Sequence, residues 1–348
     1  VRLRDVLVKI LRNRGIETIS TDVERILESD DVIQAMAVWI ANGRYGVCEG
    51  HRGVAFDLEG RRVEGKAKVH VGSCPNPMLG REELVGEAER VGFPYVVIDC
   101  SLYEGHIEKE KRKLKLQINQ TLGVIRRFMW DERLIVTGHD FGIGVYYPST
   151  SAFVKEKGLK EVILLDPNGE EVFEGQRAEC YVIGGIVDKV GNKRGWTSKL
   201  GEKLRREGVE FRSMKILLRG DVIGVPDRLN TIAEIVLRVV LDGEDVEGAI
   251  RSVQSRLVAR WRLRKELPKR TIRIDVNGRP FRVVRRSVFE EFDWLNLRRE
   301  DFYRVCSELG YLVLDDGVFD EIVKDAKWDE RRGRYVVQGN SGCRSQGR

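Results

Sequence analysis

Leu3, Val6, Leu7, Ile10 and Leu11 recur at helical spacing with Arg2, Arg4, Asp5 and Lys9 between them. Residues 1–13 therefore predict an amphipathic helix and not an export signal. Helical patterns also cover roughly 22–28 and 31–41, while GVAFDLEG and KAKVHVG suit short strands. SCPNPMLGRE (73–82) carries the Pro and Gly punctuation of a boundary, so 1–83 reads as a small mixed domain. From about residue 84 strands and helices alternate. PYVVIDCS (94–101), RLIVTG (133–138), EVILLD (161–166), CYVIGG (180–185) and MKILL (214–218) have buried-strand length. Between them, Leu114, Ile118, Leu122, Ile125 and Met129 share one helical face, and TSKLGEKLRREG (197–208) is a helix ended by Gly208. LNTIAEIVLRVVLDG (229–243) predicts a helix with Asn230 as N-cap and Gly243 as its stop. Such alternation implies an α/β domain over 84–251 with a mostly parallel sheet covered on both faces. The remainder, 252–348, reads as a small α+β piece whose polar tail is expected to be disordered from about 339.

Composition changes this picture little. In 348 residues, 42% hydrophobic and 33% charged, no apolar run approaches the roughly 18 residues of a membrane span, which suggests a cytoplasmic protein. The six cysteines form no CxxC pair and the four histidines are irregularly spaced, so neither a metal site nor a disulfide framework is indicated. Charge is more informative. The chain carries a net +6, yet Arg251 to Arg286 holds thirteen basic residues against Glu266 and Asp275, a local +11. That density favours a polyanionic partner, with Arg260, Arg262, Arg264, Lys265 and Arg270 as candidate RNA contacts. A solvated basic face is the alternative reading.

Candidate chemistry gathers at YVIGGIVD, where Gly184 and Gly185 break a buried strand and Asp188 closes it. Adjacent glycines at the carboxyl end of such a strand let the backbone approach a ligand, in the place where α/β sheets bind them. A tight turn followed by an acidic cap would read the same way. GHDFGIGVYY (138–147) follows a strand but lacks the helix-opening third glycine of a dinucleotide fingerprint, so it reads as a loop and argues against a nicotinamide-dependent dehydrogenase.

VIDCSLYEGHIEKEKRKLKLQ (97–117), YVIGGIVDK (181–189) and RLNTIAEIVLRVV (228–240) together resemble the SPOUT-class tRNA purine-9 N1-methyltransferases, in particular their archaeal branch, which carries extra domains at both ends. LLDPNG keeps the acidic residue of the family's preceding strand, Asp166, without its threonine. The resemblance implies an α/β fold with a parallel sheet and a trefoil knot in its C-terminal half, a monomeric state, and S-adenosylmethionine as methyl donor without a metal. It carries donor binding onto Asp166, Asn168, Gly184, Gly185, Leu229, Asn230 and Thr231. Asp188 becomes the candidate beside purine N1, with Asp99 as a second catalytic candidate and a turn or cap as its other reading. Glu110 and Gln117 are expected to fix their helix, and Lys189, Lys193 and Arg194 to lie beside bound tRNA. The rival class is a non-catalytic RNA-binding protein that keeps the fold without turnover.

Overall fold

The computed structural model describes residues 1–188, 191, 193–220 and 228–337. They divide into two compact units, one from the described residues of Val1–Leu217 and Val225–Ala249, the other from those of Leu218–Gly224 and Ile250–Arg348.

The first unit opens with α1 (Leu3–Asn13), β1 (Thr18–Thr21), α2 (Glu24–Leu27), α3 (Val32–Ala41), β2 (Gly46–Glu49), β3 (Val54–Asp57) and β4 (Val69–Gly72). These four strands form a sheet of order β2-β4-β1-β3, and the apolar stripe foreseen on α1 is buried. Cys48 and Cys74 are disulfide-bonded, which corrects the expectation of no disulfide framework. The reason is register: β2 and β4 pair antiparallel with Cys48 opposite His70, and the chain leaving β4 returns Cys74 to its partner. Spacing along the sequence does not display that proximity.

The chain continues through α4 (Arg81–Val91), β5 (Tyr95–Asp99), α5 (Glu108–Arg126), β6 (Leu134–Thr137), β7 (Val145–Tyr147), α6 (Thr150–Lys157), β8 (Val162–Leu165), β9 (Glu171–Val172), β10 (Cys180–Gly184), α7 (Trp196–Arg206), β11 (Arg212–Lys215) and α8 (Leu229–Leu237). Seven strands form one sheet of order β7-β6-β5-β10-β8-β11-β9, parallel at every pairing. β10 sits in its interior. Cys180 and Val182 face a core shared with Phe153 and Val154 of α6 and Leu200 and Leu204 of α7. Pleating sends the buried Tyr181 and Ile183 to the opposite face, where α8 packs on β10 and on α5.

One boundary of the last helix of this domain differs from expectation and the other holds. Arg228, not Asn230, is the N-cap of α8, which puts Asn230 inside the first turn. A π-helical turn, Arg238–Asp242, continues the helix to Gly243, whose φ of 74° makes it the stop that was expected. The knot expected from the resemblance turns on the connection between β11 and α8, of which residues 221–227 lie outside the described residues. So does the tail from 338 onward.

α9 (Val246–Val253) begins in the first unit and ends in the second, which continues with α10 (Arg256–Glu266), β12 (Thr271–Val276), β13 (Arg279–Arg285), α11 (Arg299–Glu308), β14 (Tyr311–Leu314), α12 (Asp316–Asp325), β15 (Ala326–Asp329) and β16 (Arg334–Val337). The five-stranded sheet runs β14-β13-β12-β16-β15. Asn277 and Gly278, at φ of 49° and 79°, form the tight turn of the β12–β13 hairpin.

Candidate active site

Because the central sheet is parallel, the carboxyl ends of β5, β6, β8 and β10 open on one edge, and the expected residues gather there. Gly184 pairs in register with Asp99, and Gly185 N–H donates to the Asp99 carbonyl at 2.8 Å. A Cβ on Gly185 would stand 2.6 Å from Cys100 Sγ and 2.9 Å from that carbonyl oxygen. This glycine is therefore demanded by contact between neighbouring strand ends, a reason distinct from room for a ligand. Gly184 is less crowded, its Cβ position lying 3.0 Å from Ile186 Cδ1 and 3.5 Å from Thr197 Oγ1.

Asp99 is buried and fully engaged with its surroundings. Its Oδ1 accepts from Ser101 N–H at 2.9 Å and its Oδ2 from Thr150 Oγ1 at 2.6 Å. Thr150 has one hydroxyl proton, spent on Asp99, so Thr137 Oγ1 donates to it at 2.9 Å. The carboxylate thus ties together the ends of β5 and β6 and the start of α6. Burial, and then the charge of Asp99, push the adjacent Cys100 thiol pKa well up, leaving it inert.

Asp166 plays a similar part at the end of β8. Oδ1 accepts from Asn168 N–H at 2.9 Å and Oδ2 from Ser198 Oγ at 3.0 Å, which brings the first turn of α7 over β8 and β10. Asn168 itself is exposed on this turn. Across the sheet, buried Gln117 accepts from Leu229 N–H through Oε1 at 3.1 Å, so α5 holds the start of α8. Among the described residues Asn230 Oδ1 is buried without a hydrogen-bond partner, as is Ser101 Oγ. Buried polar atoms left unpaired are uncommon, and at this sheet end they offer an amide oxygen and a hydroxyl for a ligand to meet.

Asp188 is exposed, yet Oδ1 accepts from Gly191 N–H at 2.7 Å and Oδ2 from Lys193 N–H at 3.0 Å. Lys193 then turns inward. Its Nζ lies 2.8 Å from Glu110 Oε2, both side chains almost wholly buried, and 5.1 Å from the Trp196 ring centroid. Glu110 also accepts from Ile107 N–H at 3.1 Å, capping α5. Lys193, expected at an RNA face, is instead part of the scaffold behind the glycine loop. Arg194 is exposed, and Lys189 lies outside the described residues.

His106 went unassigned in the sequence although it stands inside the first motif. It is buried; Nε2 accepts from Val187 N–H at 3.0 Å, so Nδ1 carries the proton, within 3.2 Å of the Leu102 and 3.1 Å of the Tyr103 carbonyls. A neutral imidazole therefore braces the loop between Gly185 and Asp188. Trp196 packs over Gly105 and lines, with Ser101, Leu102, Glu104 and Lys199, a cleft of about 310 Å³ beside these strand ends. A larger cleft, about 560 Å³, lies along α1 and the start and end of α4 and holds none of the residues above.

The candidate RNA residues of the second unit fare unevenly. Arg262 is buried, donates to the Arg219 carbonyl at 2.6 Å and stacks on Trp294. Arg260 approaches Asp301 at 3.9 Å, Arg264 pairs with Glu308, and Arg270 with Glu291 at 2.5 Å. Lys265 is exposed, 6.0 Å from the Trp261 ring. Among the described residues no group of three or more His, Cys, Asp or Glu side chains is placed to hold a metal, and no helix is long and apolar enough to cross a membrane.

A parallel α/β sheet with flanking domains and a glycine-marked strand end defines a SPOUT-type methyltransferase architecture. Residues 4–87 match the N domain, and 260–339 the C domain, of tRNA (guanine(9)-/adenine(9)-N1)-methyltransferases. A protein of that name from Thermococcus kodakarensis is 39% identical over 333 residues, covering 90% of each chain. The tRNA (adenine(9)-N1)-methyltransferase of Sulfolobus acidocaldarius is 34% identical over 266 residues, 73% of this chain and 85% of that one. Among solved structures, S. acidocaldarius Trm10 in complex with S-adenosylhomocysteine aligns with a TM-score of 0.62 at 28% identity, over 89% of this chain and 100% of that one. A dual-specific Trm10 from T. kodakaraensis aligns at 0.59 with 30% identity, over 71% and 98%. The chain belongs to the tRNA (guanine(9)-/adenine(9)-N1)-methyltransferase family.

Proposed function

We propose that this chain transfers a methyl group from S-adenosylmethionine to N1 of the purine at position nine of tRNA. What carries the reading is the convergence of the Gly184–Gly185 strand end, the Asp166 turn and the α8 start held by Gln117, in a chain so similar to enzymes of that name. Gly184, Gly185, Asp166, Asn168, Leu229, Asn230 and Thr231 would hold the donor, Asn230 Oδ1, unpartnered among the described residues, being an acceptor suited to it. When bound, the donor supplies a methyl on a sulfonium, which departs as a neutral thioether. The knot and a monomeric state belong to the same reading.

What remains for the chain is alignment and proton management. Main-chain contacts at residues 184–185 and the His106 brace make the pocket wall rigid. Asp188 acts beside N1: main-chain donors from Gly191 and Lys193 orient its carboxylate, and the side chain is exposed at the strand end. Guanine N1 bears a proton that leaves toward this carboxylate, whereas adenine N1 attacks through its lone pair and needs no base. The same two hydrogen bonds favour a second reading, in which Asp188 only shapes the loop.

Labelled methyl transfer to two tRNA transcripts differing only in A or G at position nine, mapped by primer extension, tests both. Asp188→Asn is expected to lose activity on G by at least a hundredfold while retaining it on A, given the usual worth of a general base. Equal loss on both purines identifies the loop-shaping role, and no transfer by the unaltered protein to either transcript refutes the proposed activity.

A further inference from the structure

The loop Gly138–Gly144, which fails as a nucleotide fingerprint, has a different feature. β6 lies beside β5 in parallel, so the loops that follow them emerge at the same sheet end as Gly184 to Asp188. Gly138, at φ of 83°, lets them touch: a Cβ there would lie 2.6 Å from Ser101 N. Across that contact Tyr103 and His139 stack with centroids 3.7 Å apart and planes 18° from parallel. Phe141 meets them edge-on, at 5.5 Å and 4.6 Å. None of the three rings is buried. Asp140 fixes the loop by accepting from Gly142 N–H at 2.8 Å.

We propose that Tyr103, His139 and Phe141 form a stacking platform for an unpaired base adjoining the methylated purine, an inference that rests on the tRNA reading above. A purine whose N1 is attacked has to leave the base stack, and its neighbour loses a stacking face in consequence. An aromatic stack at the same sheet end replaces that face without reading sequence. Charge agrees with a nucleic-acid occupant. Exposed Lys109, Arg112 and Lys115 make no ion pair among the described residues, leaving them available to phosphates, whereas Lys111, 4.9 Å from the Tyr103 centroid, is paired with Glu104 and Glu108.

The test uses full-length protein, His139→Ala, His139→Phe, and two fluorescently labelled tRNA transcripts, one intact and one abasic on either side of position nine. Kd is measured by titration, with melting temperatures and S-adenosylmethionine affinity as controls. His139→Ala is expected to weaken binding of intact tRNA roughly fivefold to a hundredfold. His139→Phe restores it, and the abasic transcript, weak with unaltered protein, is weakened no further by His139→Ala. Unchanged affinity in His139→Ala, or an equal loss on both transcripts, overturns the platform. Since titration needs no turnover, a protein that binds tRNA but methylates neither purine refutes the activity while the Kd comparison still decides the platform. A protein that does not bind tRNA refutes both.

Discussion

The strand end at Gly184–Gly185 and the basic segment 251–286 are the two regions whose sequence most invites a functional reading, and they treat charge in opposite ways. At the strand end, Asp99, Asp166 and Asp188 turn their oxygens toward main-chain N–H and hydroxyl donors from different elements. Each carboxylate fixes a loop. Along 251–286, by contrast, cations meet carboxylates: Arg256 and Arg260 face Asp301, Arg264 meets Glu308, Lys269 meets Glu266, Arg270 meets Glu291, Arg285 meets Asp320 and Arg286 meets Asp315. Most of those carboxylates lie outside the segment. A local net of +11 therefore overstates the positive field that a polyanion would meet.

The largest effect is expected at the strand end. Gly185→Ala pushes a methyl into Cys100 Sγ and the Asp99 carbonyl, so the ends of β5 and β10 have to separate. Displacements approaching 1 Å in an aligned site lower rates on the order of a hundredfold. Single-turnover methylation should fall at least that far, and near-normal activity would show that the site tolerates the shift. Next comes Lys193→Met. Removing one member of a buried ion pair leaves Glu110 charged in the interior and costs about 3–5 kcal/mol. Urea unfolding should register that loss. If Lys193 instead served RNA, tRNA affinity would drop with the unfolding midpoint unchanged.

The contrast also explains what the sequence could and could not disclose. The central strands were legible because each is a short apolar run bounded by turns, and parallel pairing then forces their ends onto one edge. Gly185 was legible as special, though its reason, contact with Cys100, needed strand register. His106 was in view but unassigned, since nothing local announces that its Nε2 meets a residue 81 positions later. The charge of the basic segment was legible but its pairing was not, because that depends on acids from 290 onward, which composition counts but does not locate. Asn277–Gly278 was a missed hairpin signal that the sequence did carry.

Acid should test the paired side of the comparison more gently. Burial pushes the Asp301 carboxyl up, but the Arg298 N–H and the Arg256 guanidinium, with Arg260 nearby, outweigh it and hold the group below its ordinary 3.8. A depressed folded value means that the stabilisation is complete above that ordinary value and is lost as pH falls through the lower one. Urea midpoints should thus decline below about pH 4 in the unaltered protein. Asp301→Asn should start about 1–3 kcal/mol lower at pH 7 and decline less on acidification. An identical acid slope in both proteins would remove Asp301 from the account.

The smallest effects separate paired from unpaired cations on the surface. Exposed Lys265, Arg273 and Arg279 have no carboxylate partner among the described residues, nor do Lys109, Arg112 and Lys115 at the start of α5. A cation that contacts phosphate displaces a counterion, so its removal reduces the slope of log affinity against log salt by about one. Alanine at each of these six positions is expected to weaken tRNA binding a fewfold and to shift that slope where the residue meets phosphate. Alanine at Arg264 or Arg270 should leave the slope alone and change stability by about 1 kcal/mol or less, the usual worth of an exposed ion pair. Should Arg264 and Arg270 shift the slope as much as Lys265 does, their carboxylates must release them on binding, and the field of the whole segment becomes available after all.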